Sequence, residues 1–323
     1  MRSQSIPALP LLFALASLFV TPWMLNAQPS GGVTGDPTDP VISSRAANSL
    51  PSNLASGTTG SDRSLPQPGD SATIATTQVK LSLKALNDLL EEYRKTGDRP
   101  SEAHTLGAIA SSYNALHQQQ KAVQLFQAEL NLWCALDDKK NEATTLAHLG
   151  DVYREWGFPD QAIHFYREAL KTDPDPGGKL EQAAIFNNLG LAYFALRDKK
   201  KCLEYLDQSL AIYRAAQNPL GQARALTNLG STYGFLINDP HKAIDYFQEA
   251  VTRLELLNDR STEANALELM GGVWLKLQMQ DMAVESYHRA LFLFERIGDA
   301  QGEASVRKQL SAVGDNDSIA SAR

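Results

Sequence analysis

Residues 181–193 read EQAAIFNNLGLAY, and the register of this stretch returns along the chain with a period of 40 residues. Its marker is an acidic or amide residue followed by alanine, as in Gln182-Ala183. The same pair stands at Glu102-Ala103, Glu142-Ala143, Gln222-Ala223, Glu263-Ala264 and Glu303-Ala304, with one residue inserted before Glu263. A fixed period of this size is typical of helical-repeat arrays, in which neighbouring units stack to form the core. We therefore expect an all-α solenoid, an architecture that favours binding over catalysis.

Each period carries two motifs, one on each of two predicted helices. The first helix has Leu-Gly-x-x-Tyr or a degenerate form of it, beginning at Ile109, Leu149, Leu189, Leu229 and Met270. The second helix has alanine four residues before an aromatic residue, beginning at Ala122, Ala162, Ala243 and Ala283. Small residues allow two helices to cross closely, and the aromatic ring then fills the space beside the crossing.

This pair of motifs resembles the tetratricopeptide repeat (TPR), and the resemblance covers about residues 101–301. It implies a right-handed superhelical solenoid of about five TPR helix-turn-helix units with capping helices at both ends. The 40-residue period and linkers such as residues 296–299 look like the long-repeat bacterial subclass of this family.

The two cysteines lie on the predicted second helices of different units, and their spacing matches no metal-binding motif. Cys202 replaces the alanine of the repeat, so we expect a small core residue. Leu206 replaces the aromatic residue, which predicts looser packing of that second helix. A disulfide between Cys134 and Cys202 is the less favoured alternative.

The predicted segments outside the array differ from it in composition. Residues 1–27 resemble a secretion signal with an apolar stretch after Arg2. Residues 28–78 form a Gly/Pro/Ser/Thr-rich tether that is predicted to be disordered. A capping helix over 79–100, the units over 101–301, a closing helix over 302–314 and a disordered tail over 315–323 complete the chain. The signal predicts a periplasmic or secreted protein; the alternative is an inner-membrane anchor formed by residues 6–27.

Charge and motifs exclude several classes of function. The net charge is −7 without a basic stripe, which argues against nucleic acid as a partner. The six histidines are scattered, and none belongs to a zinc-binding or catalytic motif. We expect no enzyme activity, no catalytic residues, no cofactor and no metal site.

In the TPR family the first helices line a concave groove. Steps of three and four residues stay on one side of a helix, so the residues expected to face this groove can be read from each unit. The predicted groove residues are Arg154, Asn187, Leu191, Phe194, Arg224, Thr227, Ser231, Phe235, Asn265 and Glu268. The amide and hydroxyl groups suit a peptide backbone, and Leu191, Phe194 and Phe235 suit an apolar side chain. The alternative is that these residues pack on adjacent units or face water. For Asn188 and Asn228 we expect hydrogen bonds between neighbouring helices.

The resulting functional hypothesis is a scaffold or adaptor that binds a protein or peptide in the cell envelope. The identity of the partner does not follow from the residues. One alternative is a self-associating spacer, possible as a homo-oligomer, in an envelope assembly. Another is a regulatory subunit of a signalling protease or kinase, because the long-repeat subclass often accompanies such domains.

Overall fold

The computed structural model describes residues 83–173 and 178–314. In these two ranges the chain forms helices joined by short turns, and neither range contains a strand. The all-α solenoid is therefore confirmed. The predicted signal (1–27), tether (28–78), tail (315–323) and the first residues of the predicted capping helix (79–82) lie outside the described residues.

The helices follow one another as five pairs between a preceding and a closing helix. We number them α1 (83–96), α2 (Arg99–Ala115), α3 (Gln119–Leu136), α4 (Lys139–Glu155), α5 (Pro159–Thr172), α6 (Lys179–Ala195), α7 (Lys199–Ala215), α8 (Pro219–Ser231), α9 (Pro240–Leu257), α10 (Arg260–Lys276), α11 (Gln280–Ile297) and α12 (Ala300–Ala312). A π-helical turn, Thr232–Ile237, continues α8. Units 1 to 5 are α2–α3, α4–α5, α6–α7, α8–α9 and α10–α11, and each helix packs on the next.

Aspartate side chains begin half of these helices. Each accepts a hydrogen bond from the backbone N–H three residues later, which satisfies one of the free donors of the first turn. The residues that do so are Asp98, Asp138, Asp198, Asp239, Asp259 and Asp299. Because these caps recur at the repeat period, the helix starts are fixed by local chemistry as well as by packing.

The turns between helices place one residue each in the left-handed region, and several of these residues are not glycine. Arg197, between α6 and α7, has a φ of 59°. We expect Arg197→Gly to raise the free energy of unfolding by about 0.5–1 kcal/mol, because the strain that Cβ causes exceeds the extra entropy of glycine. Urea unfolding followed by circular dichroism measures it. Lys200→Gly, inside α7, is the control and should be destabilising; equal losses for both variants would contradict the expectation.

Close helix crossings build the core of each unit. A Cβ atom added to Gly150 would lie 2.6 Å from the ring of Tyr166, and one added to Gly190 would lie 2.6 Å from Leu206. Leu206 and Cys202 are both fully buried. The prediction of looser packing in unit 3 is therefore wrong: leucine fills the place of the aromatic ring against the same glycine.

The inserted residue of unit 4 is absorbed by the π-helical turn Thr232–Ile237. Ala243 follows Gly230 by 13 positions, whereas Cys202 follows Gly190 by 12. A π-turn holds one more residue than an α-turn, so the helix stays continuous and the following unit keeps its register. The carbonyl oxygen of Gly234, within this turn, accepts a hydrogen bond from Nζ of Lys276 at 2.7 Å.

The preceding and closing helices cover the two ends of the array. Leu83 and Leu90 of α1 pack with Leu106 and Ile109 of unit 1. At the other end, α12 buries Val306 and Leu310 against the core of units 4 and 5. The apolar faces of the terminal units are thereby removed from water. No helix within the described ranges is both long and apolar enough to cross a membrane.

Candidate functional site

The first helices of consecutive units lie side by side. Helix α6 contacts both α4 and α8, and α8 also contacts α10. We call the surface formed by the predicted groove residues of these helices the groove face. It consists of Arg154, Asn187, Leu191, Phe194, Arg224, Thr227, Ser231, Phe235, Asn265 and Glu268.

Hydrogen bonds between side chains connect most of the first helices to the next one. Asn188 donates to Asp151 at 2.8 Å, and Asn228 donates to Asn187 at 2.8 Å. The predicted role of Asn188 and Asn228 as links between neighbouring helices is confirmed. The series continues at both ends, with Asn114 donating to Glu155 at 2.6 Å and Ser305 donating to Glu268 at 2.6 Å. These bonds fix how each unit is rotated on its neighbour.

In unit 2 several polar side chains bond to one another, although Nε of Arg154 is buried without a partner among the described residues. The carboxylate of Asp151 accepts from the hydroxyl of Tyr166 at 2.6 Å as well as from Asn188. Arg154 pairs with Glu155 at 3.2 Å and keeps 14% of its side chain exposed. The charge of Arg154 is therefore already balanced within the unit, and its role in a groove stays a prediction.

Three of the predicted polar groove residues are used inside the protein. Asn187 accepts from Asn228 and donates to Asn188 at 3.3 Å, so its amide belongs to the links between helices. Thr227 is fully buried and Ser231 is 7% exposed. Their hydroxyls donate to the carbonyl oxygens of Ala223 and Thr227 in the same helix. The assignment of Thr227 and Ser231 to a peptide backbone is corrected, because α6 and α10 flank α8 and cover it.

The residues that stay open on the groove face are mostly apolar, with one free cation. Leu191, Phe194 and Phe235 are half-buried, and Arg224 is exposed. Arg224 belongs to none of the ion pairs formed within 83–173 and 178–314. Asn265 is half-buried at the far end of the face. Glu268 is half-buried too, and burial raises the pKa of its carboxyl despite the hydrogen bond from Ser305.

Phe235 is held in place by unit 5. Its ring lies against Gly272, where an added Cβ would be 3.6 Å away, and Nζ of Lys276 lies 5.0 Å from the ring centre. The π-helical turn sets this position, because it rotates the residues that follow the insertion. Half-buried apolar side chains thus stand on the first helices of units 3 and 4, and Phe235 also contacts unit 5.

The described residues contain no candidate metal site, and their two thiols are unpaired. Across 83–173 and 178–314, no three histidine, cysteine, aspartate or glutamate side chains are placed to hold a metal ion. Both cysteines are free thiols, Cys134 exposed and Cys202 buried. Burial raises the pKa of the Cys202 thiol to about 11, which makes it a poor nucleophile.

One unusual residue was not singled out by the sequence reasoning. Glu129 of α3 is 6% exposed and stands where the other units have Ala169, Ser209, Ala250 and Ala290. Its carboxyl occupies the space above Gly107, since a Cβ on that glycine would lie 2.7 Å from both oxygens. The indole N–H of Trp133 donates to Glu129 at 3.2 Å. Gly107 is an exception as well, because no other unit has glycine at this position. Aligning the five units would have shown that Glu129 and Gly107 both depart from the repeat.

Comparison with known proteins gives the family of the repeats. A family model described as "Tetratricopeptide repeat" matches residues 181–255, and a second model with the same description matches residues 143–176. G-protein-signaling modulator 1 of Homo sapiens is 33% identical over 91 residues, 28% of this chain and 12% of that protein. Outer dynein arm-docking complex subunit 4 of Danio rerio is 30% identical over 148 residues, 46% of this chain and 28% of that protein. The chain thus spans less than a third of the length of either relative.

Solved structures show the same fold. Aspartyl phosphate phosphatase F from Bacillus subtilis superposes with a TM-score of 0.62 at 15% identity, covering 72% of this chain and 62% of that one. At this identity the likeness concerns the fold alone. The two family matches and the five stacked helix pairs together show that the chain carries tetratricopeptide repeats, and that its all-α solenoid is a tetratricopeptide-repeat solenoid.

Proposed function

We propose that this protein is a non-catalytic scaffold that binds an extended segment of a partner protein on the groove face of units 3 to 5. Tetratricopeptide-repeat solenoids are in general protein-interaction modules, with an extended surface formed by successive units. The observation that carries the proposal is the combination of half-buried Leu191, Phe194 and Phe235 with exposed, unpaired Arg224 on consecutive first helices.

The polar and apolar residues of the groove face differ in how they would contribute to affinity for a partner. Most of the polar side chains on this face bond to one another or to their own helix, so they hold the surface rigid and leave few groups to reorganise on binding. Apolar side chains of the partner would gain most by covering the phenylalanine rings, since aromatic anchors dominate interface energetics. Arg224 would pair with a carboxylate of the partner and fix its register.

The proposed compartment is the cell envelope. It rests on the secretion signal predicted from residues 1–27, which lie outside the described residues. An N-terminal sequence of the exported protein that begins after Ala27 is the expected result of signal cleavage.

The test uses a photo-reactive side chain at the groove face. The full chain is produced in its own cells with p-benzoylphenylalanine in place of Phe194 or Arg224, and irradiated. We expect both positions to capture the same protein. The matched control replaces Glu204, which is exposed on the second helix of unit 3. Capture of different proteins at the two positions, or equal capture at 204, would contradict the proposal.

The captured partner then allows the affinity to be measured. We expect Phe194→Ala and Arg224→Glu to weaken binding by roughly 30-fold each, as removal of a hot-spot side chain of about 2 kcal/mol does. Titration calorimetry of the purified pair measures this effect, and circular dichroism confirms that the fold is kept. Asn187→Ala is not a suitable test, because that amide links two helices.

A further inference from the structure

The aromatic residue of the Leu-Gly-x-x-Tyr motif stacks on a second ring in three consecutive units. Tyr153 stacks on Phe165 with 5.1 Å between ring centres, Tyr193 on Tyr205 at 5.6 Å, and Tyr233 on Tyr246 at 5.4 Å. A lysine also lies over the tyrosine ring in units 3 and 4, with Lys201 at 5.0 Å and Lys242 at 4.1 Å. In these units, side chains of the second helix therefore contact the aromatic ring of the first helix.

Unit 5 has an aromatic residue on its first helix, but its second helix supplies neither a stacked ring nor a lysine. Trp274 stands in the place of the tyrosine, Ser286 in the place of the stacked ring, and Met282 in the place of the lysine. An open cleft of about 220 Å³ lies beside them, between α9 and α11, with Trp274 and Met270 of α10 among its lining residues. A cavity of about 150 Å³ is enough to hold a benzene ring. The cleft is smaller than the roughly 300–1,000 Å³ of sites for whole small ligands.

Trp274 has a hydrogen-bond donor that the protein does not use. The residue is 8% exposed, and its Nε1 atom is buried without an acceptor among the described residues. Trp133, which is also buried, donates to Glu129. A buried donor without a partner costs about 1–3 kcal/mol, so this position favours a ligand that brings an oxygen acceptor.

The walls of the cleft suit a side chain that enters from outside. Met282 is 37% exposed and flexible, which lets it adapt to the shape of an inserted group. The rim carries Glu255, Glu285 and Arg289, and Arg289 bridges to Glu255 across the two second helices. The entering group is therefore apolar at its tip and meets polar groups at its base, as a side chain on a peptide does.

We propose that this cleft is a second binding site, which receives one aromatic side chain of a partner protein. The ring takes the place that Phe165, Tyr205 and Tyr246 occupy in units 2 to 4. An oxygen of the same residue or its backbone accepts the hydrogen bond from Trp274. The site lies on the side of the second helices and does not depend on the groove face.

The test follows the indole N–H of Trp274 by NMR in the full chain labelled with ¹⁵N. The probe is N-acetyl-tyrosinamide, which carries an aromatic ring and carbonyl acceptors; N-acetyl-alaninamide, without the ring, is the control ligand. Trp274→Phe assigns the signal. We expect the tyrosine probe at millimolar concentration to move the Trp274 indole signal and to leave those of Trp133 and Trp156 in place. No movement, or equal movement with the alanine probe, would overturn the proposal.

Two variants check that the effect arises in the cleft. Ser286→Phe supplies the ring that the other units have, and it should abolish the response to the probe. Should this variant fail to fold, Met282→Lys at the exposed rim restores the lysine of units 3 and 4 and should weaken binding at least about fivefold. Phe292→Ser changes an exposed residue of the same helix outside the cleft, and it should bind as the natural protein does. A full response in Ser286→Phe or in Met282→Lys would overturn the assignment. Loss of the response in Phe292→Ser would overturn it as well.

Discussion

Replacing Glu129 by glutamine is expected to remove a large fall in stability between about pH 5 and pH 8. Burial raises the pKa of this carboxyl to about 8, and the hydrogen bond from Trp133 opposes the shift only in part. The folded protein therefore holds a proton on Glu129 at neutral pH, where the unfolded chain does not. Glutamine keeps the shape and a hydrogen-bond acceptor, and it cannot ionise.

The sign of the effect follows from the direction of the shift. A carboxyl whose pKa is raised on folding binds more protons in the folded state, so its contribution to stability is greatest below the unfolded pKa of 4.5. The contribution is lost as the pH rises towards about 8, at up to roughly 1.4 kcal/mol per pH unit. The total difference between natural protein and Glu129→Gln is expected to reach several kcal/mol by pH 8.5.

Urea unfolding at a series of pH values measures this difference. Other carboxyls with raised pKa values, such as Glu155 and Glu268, add to the slope of both proteins, so the difference between the two curves isolates Glu129. Glu204→Gln, at an exposed site, is the control. Parallel curves for the natural protein and Glu129→Gln would show that the carboxyl is hydrated in solution.

Gly107 gives an independent check on the position of the carboxyl. Gly107→Ala places a methyl group 2.7 Å from both oxygens of Glu129, and we expect the natural protein to lose about 1–3 kcal/mol of stability. In the Glu129→Ala background the same change has room and should be neutral or stabilising. Additive effects in this double-mutant cycle would contradict the observed contact.

Replacing Asp151 by alanine is the second change with a large expected effect. Asp151 accepts hydrogen bonds from the buried hydroxyl of Tyr166 and from the amide of Asn188 in the next unit. Alanine leaves both donors without this acceptor and removes a negative charge near Arg154. We expect a loss of about 3 kcal/mol, because the network is partly buried and the hydroxyl belongs to a side chain that is 1% exposed. Thermal and urea unfolding of the full chain measure it.

Tyr166→Phe separates the hydroxyl from the ring. Alone, it should cost about 1 kcal/mol, since Asp151 loses one donor and keeps another. Added to Asp151→Ala, it should cost nothing or restore stability, because the unpaired hydroxyl is removed while the ring stays against Gly150. If Tyr166→Phe costs the same in both backgrounds, the hydrogen bond is not made in solution.

The fold could be predicted from the sequence because the pattern of two helices recurs in five units. Leu189-Gly190 and its equivalents predicted both the helix crossings and the family, and both are confirmed. The prediction of looser packing at Leu206 was wrong. Aligning the repeats shows which residue differs, but it does not show how neighbouring side chains fill the space. The segments before residue 83, the compartment and the partner stay predictions.

The groove was harder to predict than the fold. Helical spacing places Thr227, Ser231 and Asn187 on one face, but spacing does not show how closely the next first helix approaches. That distance decides whether a hydroxyl meets a ligand or its own backbone. The clearest exceptions in the array, Glu129 over Gly107 and Ser286 beside Trp274, appear only when the five units are compared position by position.

The π-helical turn at Thr232–Ile237 also bears on how such arrays change over time. A residue gained within a helix ordinarily rotates everything after it by about 100°, which would turn the apolar face of α9 to water. Here the extra residue is confined to one turn, and α9 to α12 are unaffected. Length variation in a repeat array therefore need not fall in the loops: the last turn of a first helix can accept it and, in doing so, alter the surface offered by that unit alone.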